Sequence, residues 1–461
     1  MMEDALKGYR GEARETLQRF GASVWSDVEL TTDRGRFRGV VLPRSETQDD
    51  RHIVLKLEHG YNVGVRAARV TAIQELARKE AFYKIPEKEF PFQAGRPNVK
   101  LLGTGGTIAS RLDYRTGAVI PAFTPGELYG AVPELADIAN LSTEKLFGIF
   151  SENMTSHEWK TLAVAIGREI ENGVDGIVIG HGTDTMHYTA AALSYMVQDS
   201  PVPIVLVGSQ RSSDRPSSDA ALNLRNAVKA AAHTDIAETV VCMFGSTSDR
   251  YALLHPGTRV RKMHSSYRST FRTIGDRPYA RITPEEYHPI RDDYRKRRKD
   301  RSVKIDTAFE DKVSILYYYP NMQPDVVDQL VASSYKGILI AGTGLGHVNR
   351  ILFPALERAI QAGVAVYMTV QTLWGYVQMY VYDTGRDLLQ MGVVPCGNMI
   401  PETGFIKLCW ALGHSNDPAE VKRLMLTPVA GDITERETYD GYVVLQSGIP
   451  EVDAYLHQHP L

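Results

Sequence analysis

Three short segments combine glycines with hydroxyl and acidic residues and could carry chemistry. They are LLGTGGTIAS at 101–110, IVIGHGTDT at 177–185 and VLVGSQRSSDRPSSDA at 205–220. Glycine turns let a backbone approach a ligand closely, and Thr107 and Thr183 each follow such a turn, the latter with Asp184 beside it. Threonines and an aspartate that converge on one cleft indicate nucleophilic acyl transfer.

Each segment also has an ordinary structural interpretation. The first could be a simple glycine turn, and a nucleotide loop is disfavoured because neither GxGxxG nor a following GK[ST] is present. Thr183 and Asp184 could merely cap the next helix, a common use of both residue types. Many hydroxyls of the third segment could likewise serve as caps or Asx-turns.

A threonine nucleophile needs a base that accepts its proton. A lysine can act in this way if burial and neighbouring charges hold it neutral. Lys262, in GTRVRKMHSSYRST at 257–270, is one candidate. The ordinary interpretation of any single lysine in such a basic loop is a solvent-exposed side chain.

The elements that would position these residues alternate between strand and helix from Asn98 onward. Apolar runs at 99–103, 176–180, 202–207 and 239–244 read as strands, and the patterns at 156–172 and 219–232 read as helices. Such alternation predicts an α/β fold with parallel sheets, in which ligands bind beyond the carboxyl ends of the strands. The three segments lie at such ends.

The chain divides into five parts by its pattern. We predict an N-terminal, barrel-like β module with a linker at 1–95, in which residues 66–84 resemble a short helix or linker. Two α/β domains at 96–290 and 310–425, a linker at 291–309 and a tail at 426–461 complete the division. Residues 291–304 hold eight basic and three acidic side chains. They could meet nucleic-acid phosphate or a partner protein, but a solvated linker is the more ordinary interpretation.

Composition excludes several classes of protein. The 461 residues carry 52 basic and 55 acidic side chains, a net charge of −3, which argues against a surface that coats nucleic acid along its whole length. Three cysteines without a CxxC pair indicate a reducing, cytoplasmic setting rather than a disulfide framework. We expect no membrane span, because no uncharged apolar run reaches about 18 residues, and no metal site, because the 13 histidines form no ligand pattern.

TGGTIAS at 104–110 and HGTDTMHYTA at 181–190 together resemble the signature pair of the type I/II bacterial L-asparaginase and glutaminase family. The resemblance covers roughly residues 97–425 and implies an asparaginase-like two-domain parallel-sheet fold. It implies Thr107 as acyl nucleophile with Tyr114 beside it. It also implies a second group of Thr183, Asp184 and Lys262, and leaves open which threonine attacks first.

The same resemblance implies a substrate site. Ser151, in IFSENM at 149–154, matches the serine that holds the substrate α-carboxylate, and Glu152 stands where many free asparaginases have glutamine. Asp184 would also bind the substrate ammonium group. Backbone N–H groups near Gly106 and Gly182 would form the oxyanion site.

Two departures point to a narrower family. About 95 residues precede the first strand of the asparaginase-like region, whereas a free asparaginase begins there. HIVLKLEHGYNVGV at 52–65, SRLDYRTGAV at 110–119, FSENM at 150–154 and TRVRKMHSSYRSTFRTI at 258–274 resemble the archaeal D subunit of glutamyl-tRNA(Gln) amidotransferase. In that family the N-terminal β module is a regular feature.

That resemblance implies a glutaminase subunit that releases ammonia from glutamine. A partner E subunit would bind Glu-tRNA(Gln), activate its glutamyl carboxylate with ATP and Mg²⁺, and receive the ammonia. This chain would need no cofactor of its own. Two D and two E subunits would form a heterotetramer through a D homodimer, with tRNA held mainly by the partner.

Two other functions remain as alternatives. The nearer is a free cytosolic L-asparaginase or glutaminase with an accessory domain, against which the β module and the SEN motif at 151–153 argue. The other is a non-catalytic scaffold that keeps the fold as a binding surface. Retention of both threonines, the aspartate and the lysine argues against it.

Overall fold

The computed structural model describes residues 5–6, 8–44, 48–58, 61–78, 92–105, 110–112, 119–121, 132–211, 217–247, 249–300 and 302–437. Within these ranges, the N-terminal module contains one α-helix and five strands: α1 Gly11–Arg19, β1 Ser26–Thr32, β2 Gly35–Val41, β3 His52–Leu57, β4 Asn62–Arg66 and β5 Val70–Arg78. The strands form an antiparallel sheet in the order β4-β3-β2-β1-β5. A β module is therefore present, as predicted.

Two features of this module differ from the expectation. The prediction of a short helix or linker at 66–84 is wrong for residues 70–78, because Val70–Arg78 is a strand that pairs with β1. Ala67–Arg69 forms a short 3-10 helix, and residues 79–84 lie outside the described residues. Ladder pairing and burial of Ile73 outweigh the helix propensity of its Ala, Arg and Glu residues. Helix α1, which the pattern does not predict, buries Ala13 and Leu17 against the module core.

The next part of the chain contains the elements β6 Asn98–Gly105, β7 Ser110–Leu112, β8 Val119–Pro121, β9 Asn140–Ile149, α2 Ser156–Glu171, β10 Gly176–Gly180, α3 Met186–Met196, β11 Val197–Gln198, β12 Ile204–Val207, α4 Ala220–His233, β13 Thr239–Phe244, β14 Ala252–Pro256, β15 Val260–Lys262, β16 Phe271–Thr273, β17 Ala280–Ile282, β18 Tyr287–Pro289 and β19 Lys304–Ile305. Eight of these strands form one sheet in the order β18-β17-β14-β13-β12-β10-β6-β9. The sheet is parallel from β9 to β13, and its other edge, formed by β14, β17 and β18, is antiparallel.

The second α/β domain and the residues just after it contain β20 Val313–Tyr317, α5 Asp325–Ala332, β21 Gly337–Gly342, α6 Phe353–Gln361, β22 Ala365–Val370, α7 Asp383–Met391, β23 Val394–Pro395, α8 Pro401–His414 and α9 Pro418–Leu426. The four strands form a second sheet in the order β20-β21-β22-β23, with parallel pairing throughout. The parallel α/β pattern predicted from the sequence is thus present in both domains.

One hydrophobic core continues across the boundary between the two α/β domains. Helix α3 of the first packs against α8 of the second, where Tyr195 stacks on Trp410 with ring centroids 5.7 Å apart. Tyr188 meets Phe405 edge-on at 6.4 Å. Because α3 begins directly after the second candidate segment, this shared core sets the position of that segment relative to the second domain.

Three arginines of the linker form ion pairs or hydrogen bonds with residues of the first α/β domain. Arg291 forms an ion pair with Asp276, and Arg295 with Glu238 at 2.6 Å. Arg297 donates to three backbone carbonyls, those of residues 175, 231 and 234. The expectation of a solvated linker is wrong for these three arginines, because their guanidinium groups are used to fasten the linker to the domain.

None of the helices within the described ranges is long and apolar enough to cross a membrane.

Candidate active site

Thr183 and Asp184 lie between the end of β10 and the start of α3. The residue that caps α3 is Thr185, and its side chain makes no capping hydrogen bond to the helix. Thr185 Oγ1 instead donates to the carbonyl oxygen of Ser151 at 2.6 Å. The alternative in which Thr183 and Asp184 only cap the helix is therefore wrong, and both side chains are available for another role.

Both side chains contact Lys262. Its Nζ lies 2.8 Å from Thr183 Oγ1 and 2.7 Å from Asp184 Oδ1. The lysine side chain is only 8% exposed, whereas that of Asp184 is 70% exposed. The ordinary interpretation of Lys262 as a surface lysine is thus wrong. A buried amine within hydrogen-bond reach of a threonine hydroxyl has the geometry of a nucleophile and its base.

Ser151 and Gly182 form the floor beside this group. Ser151 begins a short 3-10 turn, Ser151–Asn153, directly after β9, and is buried. A Cβ atom added to Gly182 would lie 2.8 Å from Ser151 Cβ and 2.9 Å from its Oγ. Glycine is needed here for this close approach, so the predicted substrate residues Ser151 and Gly182 do meet. Glu152, in the same turn, is exposed.

A chain of buried hydrogen bonds fixes the turn that carries Thr183. Trp159 Nε1 donates to Thr189 Oγ1 at 2.9 Å, and that hydroxyl lies 2.9 Å from His181 Nε2. His181 Nδ1 lies 2.6 Å from the Gly182 carbonyl oxygen and donates to it, since a carbonyl can only accept. Burial lowers the pKa of His181 to about 4, so the ring stays neutral with its proton on Nδ1.

The third glycine and hydroxyl segment forms an adjacent wall. A Cβ atom on Gly208, just after β12, would lie 2.8 Å from Thr183 Cγ2 and 2.7 Å from the His181 carbonyl oxygen. The buried carboxylate of Asp219 accepts the backbone N–H of Gln210 at 2.9 Å and holds the loop. This segment therefore lies against Thr183, as the strand-end argument predicted.

Of the first segment, residues 101–105 and Ser110 are described. Thr104 Oγ1 donates to the Gly180 carbonyl oxygen at 2.9 Å and so ties the end of β6 to the end of β10. Gly105 has φ +122°, and a Cβ there would lie 2.1 Å from the Ile149 carbonyl oxygen. Thr107, Gly106 and Tyr114 lie outside the described residues, and their predicted roles stay predictions.

The sequence did not indicate a second group of side chains, which lies next to Lys262 and consists of Arg261, Glu402 and Tyr317. Arg261 Nε lies 2.9 Å from Glu402 Oε1, and Tyr317 donates its hydroxyl to the same oxygen at 3.0 Å. His187 is buried near this group, and burial together with the cations Arg261 and Lys262 lowers its pKa to about 3. No motif marks these residues, because Tyr317 and Glu402 come from the second domain and meet Arg261 only in the folded chain.

Within the described ranges, no cluster of three or more His, Cys, Asp or Glu side chains could hold a metal ion. The expectation that this chain uses no metal or cofactor stays a prediction.

Family models match three successive parts of the chain. A model described as GatD N-terminal domain matches residues 22–76. Models described as Asparaginase, N-terminal, and Glutaminase/Asparaginase C-terminal domain match residues 98–294 and 312–425. The last two contain every described residue of the candidate site, so the fold is the predicted asparaginase-like pair of domains preceded by a β module.

Curated relatives match nearly the whole chain. The D subunit of glutamyl-tRNA(Gln) amidotransferase from Thermococcus kodakarensis is 48% identical over 437 residues, which cover 93% of this chain and 98% of the relative. The corresponding D subunit from Pyrococcus abyssi is 47% identical over 440 residues, 93% and 99% of the two chains.

Two solved L-asparaginases share the fold of the α/β part. The thermostable L-asparaginase from Thermococcus kodakarensis superposes with a TM-score of 0.64 at 31% identity, covering 73% of this chain and 99% of that one. L-asparaginase I from Vibrio cholerae does so with a TM-score of 0.64 at 26% identity, covering 74% and 100%.

Proposed function

Because the chain belongs to the family of glutamyl-tRNA(Gln) amidotransferase D subunits, we propose that it releases ammonia from glutamine at the Thr183, Asp184 and Lys262 group. The observation that carries this assignment is the 2.8 Å contact between Lys262 Nζ and Thr183 Oγ1, two side chains that are both largely shielded from solvent. The chain is the glutaminase subunit of an amidotransferase; the roles of its residues are the proposal.

The proposed reaction proceeds in two steps. A threonine hydroxyl attacks the side-chain amide carbon of glutamine while its proton passes to the Thr183 and Lys262 pair, and the C–N bond then breaks as ammonia leaves with that proton. Water attacks the resulting ester, its proton passes through the same pair to the threonine oxygen, and glutamate is released. Lys262 and Thr183 form the proton-transfer pair in both steps, since the distance between them lies within the range that general base catalysis requires.

Asp184 serves two purposes in this scheme. Its carboxylate is 70% exposed and therefore able to meet the ammonium group of the substrate while it holds Lys262 at 2.7 Å. Ser151, which is buried against Gly182, would donate to the substrate α-carboxylate. A backbone N–H in the Gly182 turn, which His181 orients, would stabilise the oxyanion.

The destination of the ammonia is a partner. We propose that the E subunit of the family binds Glu-tRNA(Gln), activates the glutamyl carboxylate with ATP and Mg²⁺, and takes up the ammonia. A heterotetramer of two D and two E subunits, a D homodimer at its centre and a cytoplasmic location belong to the same proposal. Productive glutaminase turnover would then depend on the partner and on charged tRNA, because uncoupled hydrolysis consumes glutamine without product.

Ammonia release tests the site. In the complex reconstituted with partner and charged tRNA, Thr183→Ala and Lys262→Ala should each lose at least about a hundredfold in rate, the order of magnitude of general base catalysis. Thr161→Ala is the control, because that threonine bonds only to a carbonyl of its own helix α2 in the described contacts. Survival of ammonia release in both site variants would overturn the assignment.

A trapping experiment identifies the threonine that attacks. The complex is mixed with isotopically labelled glutamine, the reaction is quenched with acid, and the protein is digested. Mass spectrometry then shows whether the acylated peptide contains Thr107 or Thr183. Ester on the Thr107 peptide in the Thr183→Ala variant assigns the first attack to Thr107. Absence of ester on both peptides in wild type, under conditions where ammonia is released, would contradict a threonine ester.

A free L-asparaginase is the second candidate, since two such enzymes share the α/β fold. The match of residues 22–76 to the GatD N-terminal domain favours the amidotransferase subunit. Asparagine and glutamine supplied separately to the reconstituted complex distinguish the two. Full turnover of asparagine by the isolated chain, unchanged by partner and tRNA, would favour the free enzyme.

A further inference from the structure

The strand that carries Lys262 is held from the second α/β domain. In β15, Val260–Lys262, side chains alternate between the two sides of the strand. Lys262 points to Thr183, while Arg261 meets Glu402 of the second domain. A second arginine, Arg259, just before the strand, contacts that domain as well.

Arg259 is fully buried and donates to acceptors in the second domain and in the segment that follows it. Its guanidinium donates to the Asn398 carbonyl oxygen at 2.8 Å, to Asn398 Oδ1 at 3.0 Å and to the Gly431 carbonyl oxygen at 3.0 Å. The hydroxyl of Thr403, in the first turn of α8, donates to the Thr258 carbonyl oxygen at 2.7 Å. The segment leading into β15 is therefore fixed to the second domain by side-chain hydrogen bonds.

Glu402 makes the contact nearest to Lys262. Its side chain is 4% exposed, and its Oε1 forms an ion pair with Arg261 Nε at 2.9 Å and accepts a hydrogen bond from the Tyr317 hydroxyl at 3.0 Å. Oε2 is also buried and has no hydrogen-bond partner among the described residues. A carboxylate kept in such a place needs its arginine, and it fixes Arg261 in one orientation.

We propose that Glu402 is a positioning residue for the glutaminase reaction, which holds β15 through Arg261 so that the Lys262 amine stays at Thr183. The inference rests on the proposed function of the Thr183, Asp184 and Lys262 group. Catalytic groups must be held within about 0.5 Å of their productive geometry, and a displacement of about 1 Å lowers rates about a hundredfold. Glu402 contacts Arg261 rather than the reacting atoms, so its effect is indirect.

The test compares Glu402→Ala with Glu402→Gln in the full chain, reconstituted with its partner and charged tRNA. Glu402→Ala should lower kcat for ammonia release at least about tenfold, with KM for glutamine within about twofold, because Ser151 and Asp184 are untouched. Glu402→Gln should keep clearly more of kcat than Glu402→Ala, since its amide oxygen still accepts from the Tyr317 hydroxyl and still lies against Arg261. Arg261→Lys should fall between them, because lysine lacks the planar guanidinium.

Asp306→Ala is the matched control. Asp306 is 8% exposed and accepts from His414 Nε2 at 2.9 Å, at the opposite end of the same helix α8. It therefore removes a contact with α8 of similar burial without touching β15, and it should keep wild-type kcat. Circular dichroism and the unfolding midpoint confirm that each variant is folded.

Several results would overturn the inference. Wild-type kcat in Glu402→Ala would do so, as would equal losses in Glu402→Ala and Asp306→Ala, which would indicate general loosening between the domains. If Glu402→Ala fails to fold, wild-type kcat in Arg261→Lys has the same meaning. Lack of ammonia release by the wild-type complex would instead refute the proposed function, and this inference with it.

Discussion

Replacement of Lys262 by methionine should separate activity from stability. Methionine keeps most of the buried apolar stem but removes the amine that lies 2.8 Å from Thr183 Oγ1 and 2.7 Å from Asp184 Oδ1. Because Asp184 is 70% exposed, the lost ion pair is worth only about 0–1 kcal/mol. Loss of a side chain that transfers protons in general acid–base catalysis costs about 10²–10⁴-fold in rate, or roughly 3–5 kcal/mol in the activation free energy. The kinetic loss should therefore exceed any loss of stability several-fold.

The assay is ammonia release from glutamine by the reconstituted complex, with chemical unfolding of the same preparations. Lys422→Met, on the exposed side of α9, is the control for the charge change and should keep wild-type activity. Activity within threefold of wild type in Lys262→Met would refute the role given to the lysine. A loss of unfolding free energy as large as the kinetic loss would refute the reasoning that the group is built for catalysis rather than for stability.

Three further predictions concern stability and reactivity. Lys407→Ala leaves the carboxylate of Asp432 buried without its cation, both side chains being 0% exposed, and should cost about 3–5 kcal/mol of unfolding free energy; an unchanged denaturation midpoint would contradict this. Burial holds the pKa values of His181 and His187 at about 4 and about 3, below the ordinary value of about 6.5, so the unfolded chain binds more protons in acid. The two neutral rings contribute fully to the free energy of unfolding above about pH 6.5, and this contribution falls by roughly 1 kcal/mol per pH unit for each ring as the pH drops toward 4. His187→Asn should reduce this pH dependence in urea titrations at pH 7.5, 6 and 5. An unchanged pH dependence would contradict the prediction. Burial also raises the pKa of the thiols of Cys242, Cys396 and Cys409. A thiol reagent should therefore label the native chain slowly and the unfolded chain fully. Fast labelling of the native chain would contradict the burial of these thiols.

Local periodicity is sufficient for the parts of the fold whose pattern is strong. Helix α2, predicted over 156–172, spans Ser156–Glu171, and the apolar runs of the parallel strands are where the alternation predicts them. The prediction for strand β5 is wrong because its composition favours a helix while its partner strand, distant in sequence, decides its conformation. Local propensity is informative only where tertiary pairing does not oppose it.

The site shows the same division. Thr183 and Asp184 can be found because they follow a glycine turn at a strand end, and Lys262 because the chemistry requires a base and a known family motif contains one. Glu402 cannot be found in this way. Its relation to Arg261 depends on the packing of α3 against α8, which brings together residues 141 positions apart, and no local pattern encodes that contact.

Formation of Gln-tRNA from two nitrogen sources tests the central claim most directly. The wild-type complex and its Thr183→Ala variant would each be supplied with Glu-tRNA(Gln), ATP and Mg²⁺, with either glutamine or ammonium chloride. The variant should form no Gln-tRNA from glutamine but wild-type amounts from ammonium, because only the release of ammonia by this chain is blocked. Gln-tRNA formed from glutamine at the wild-type rate by Thr183→Ala would contradict the account.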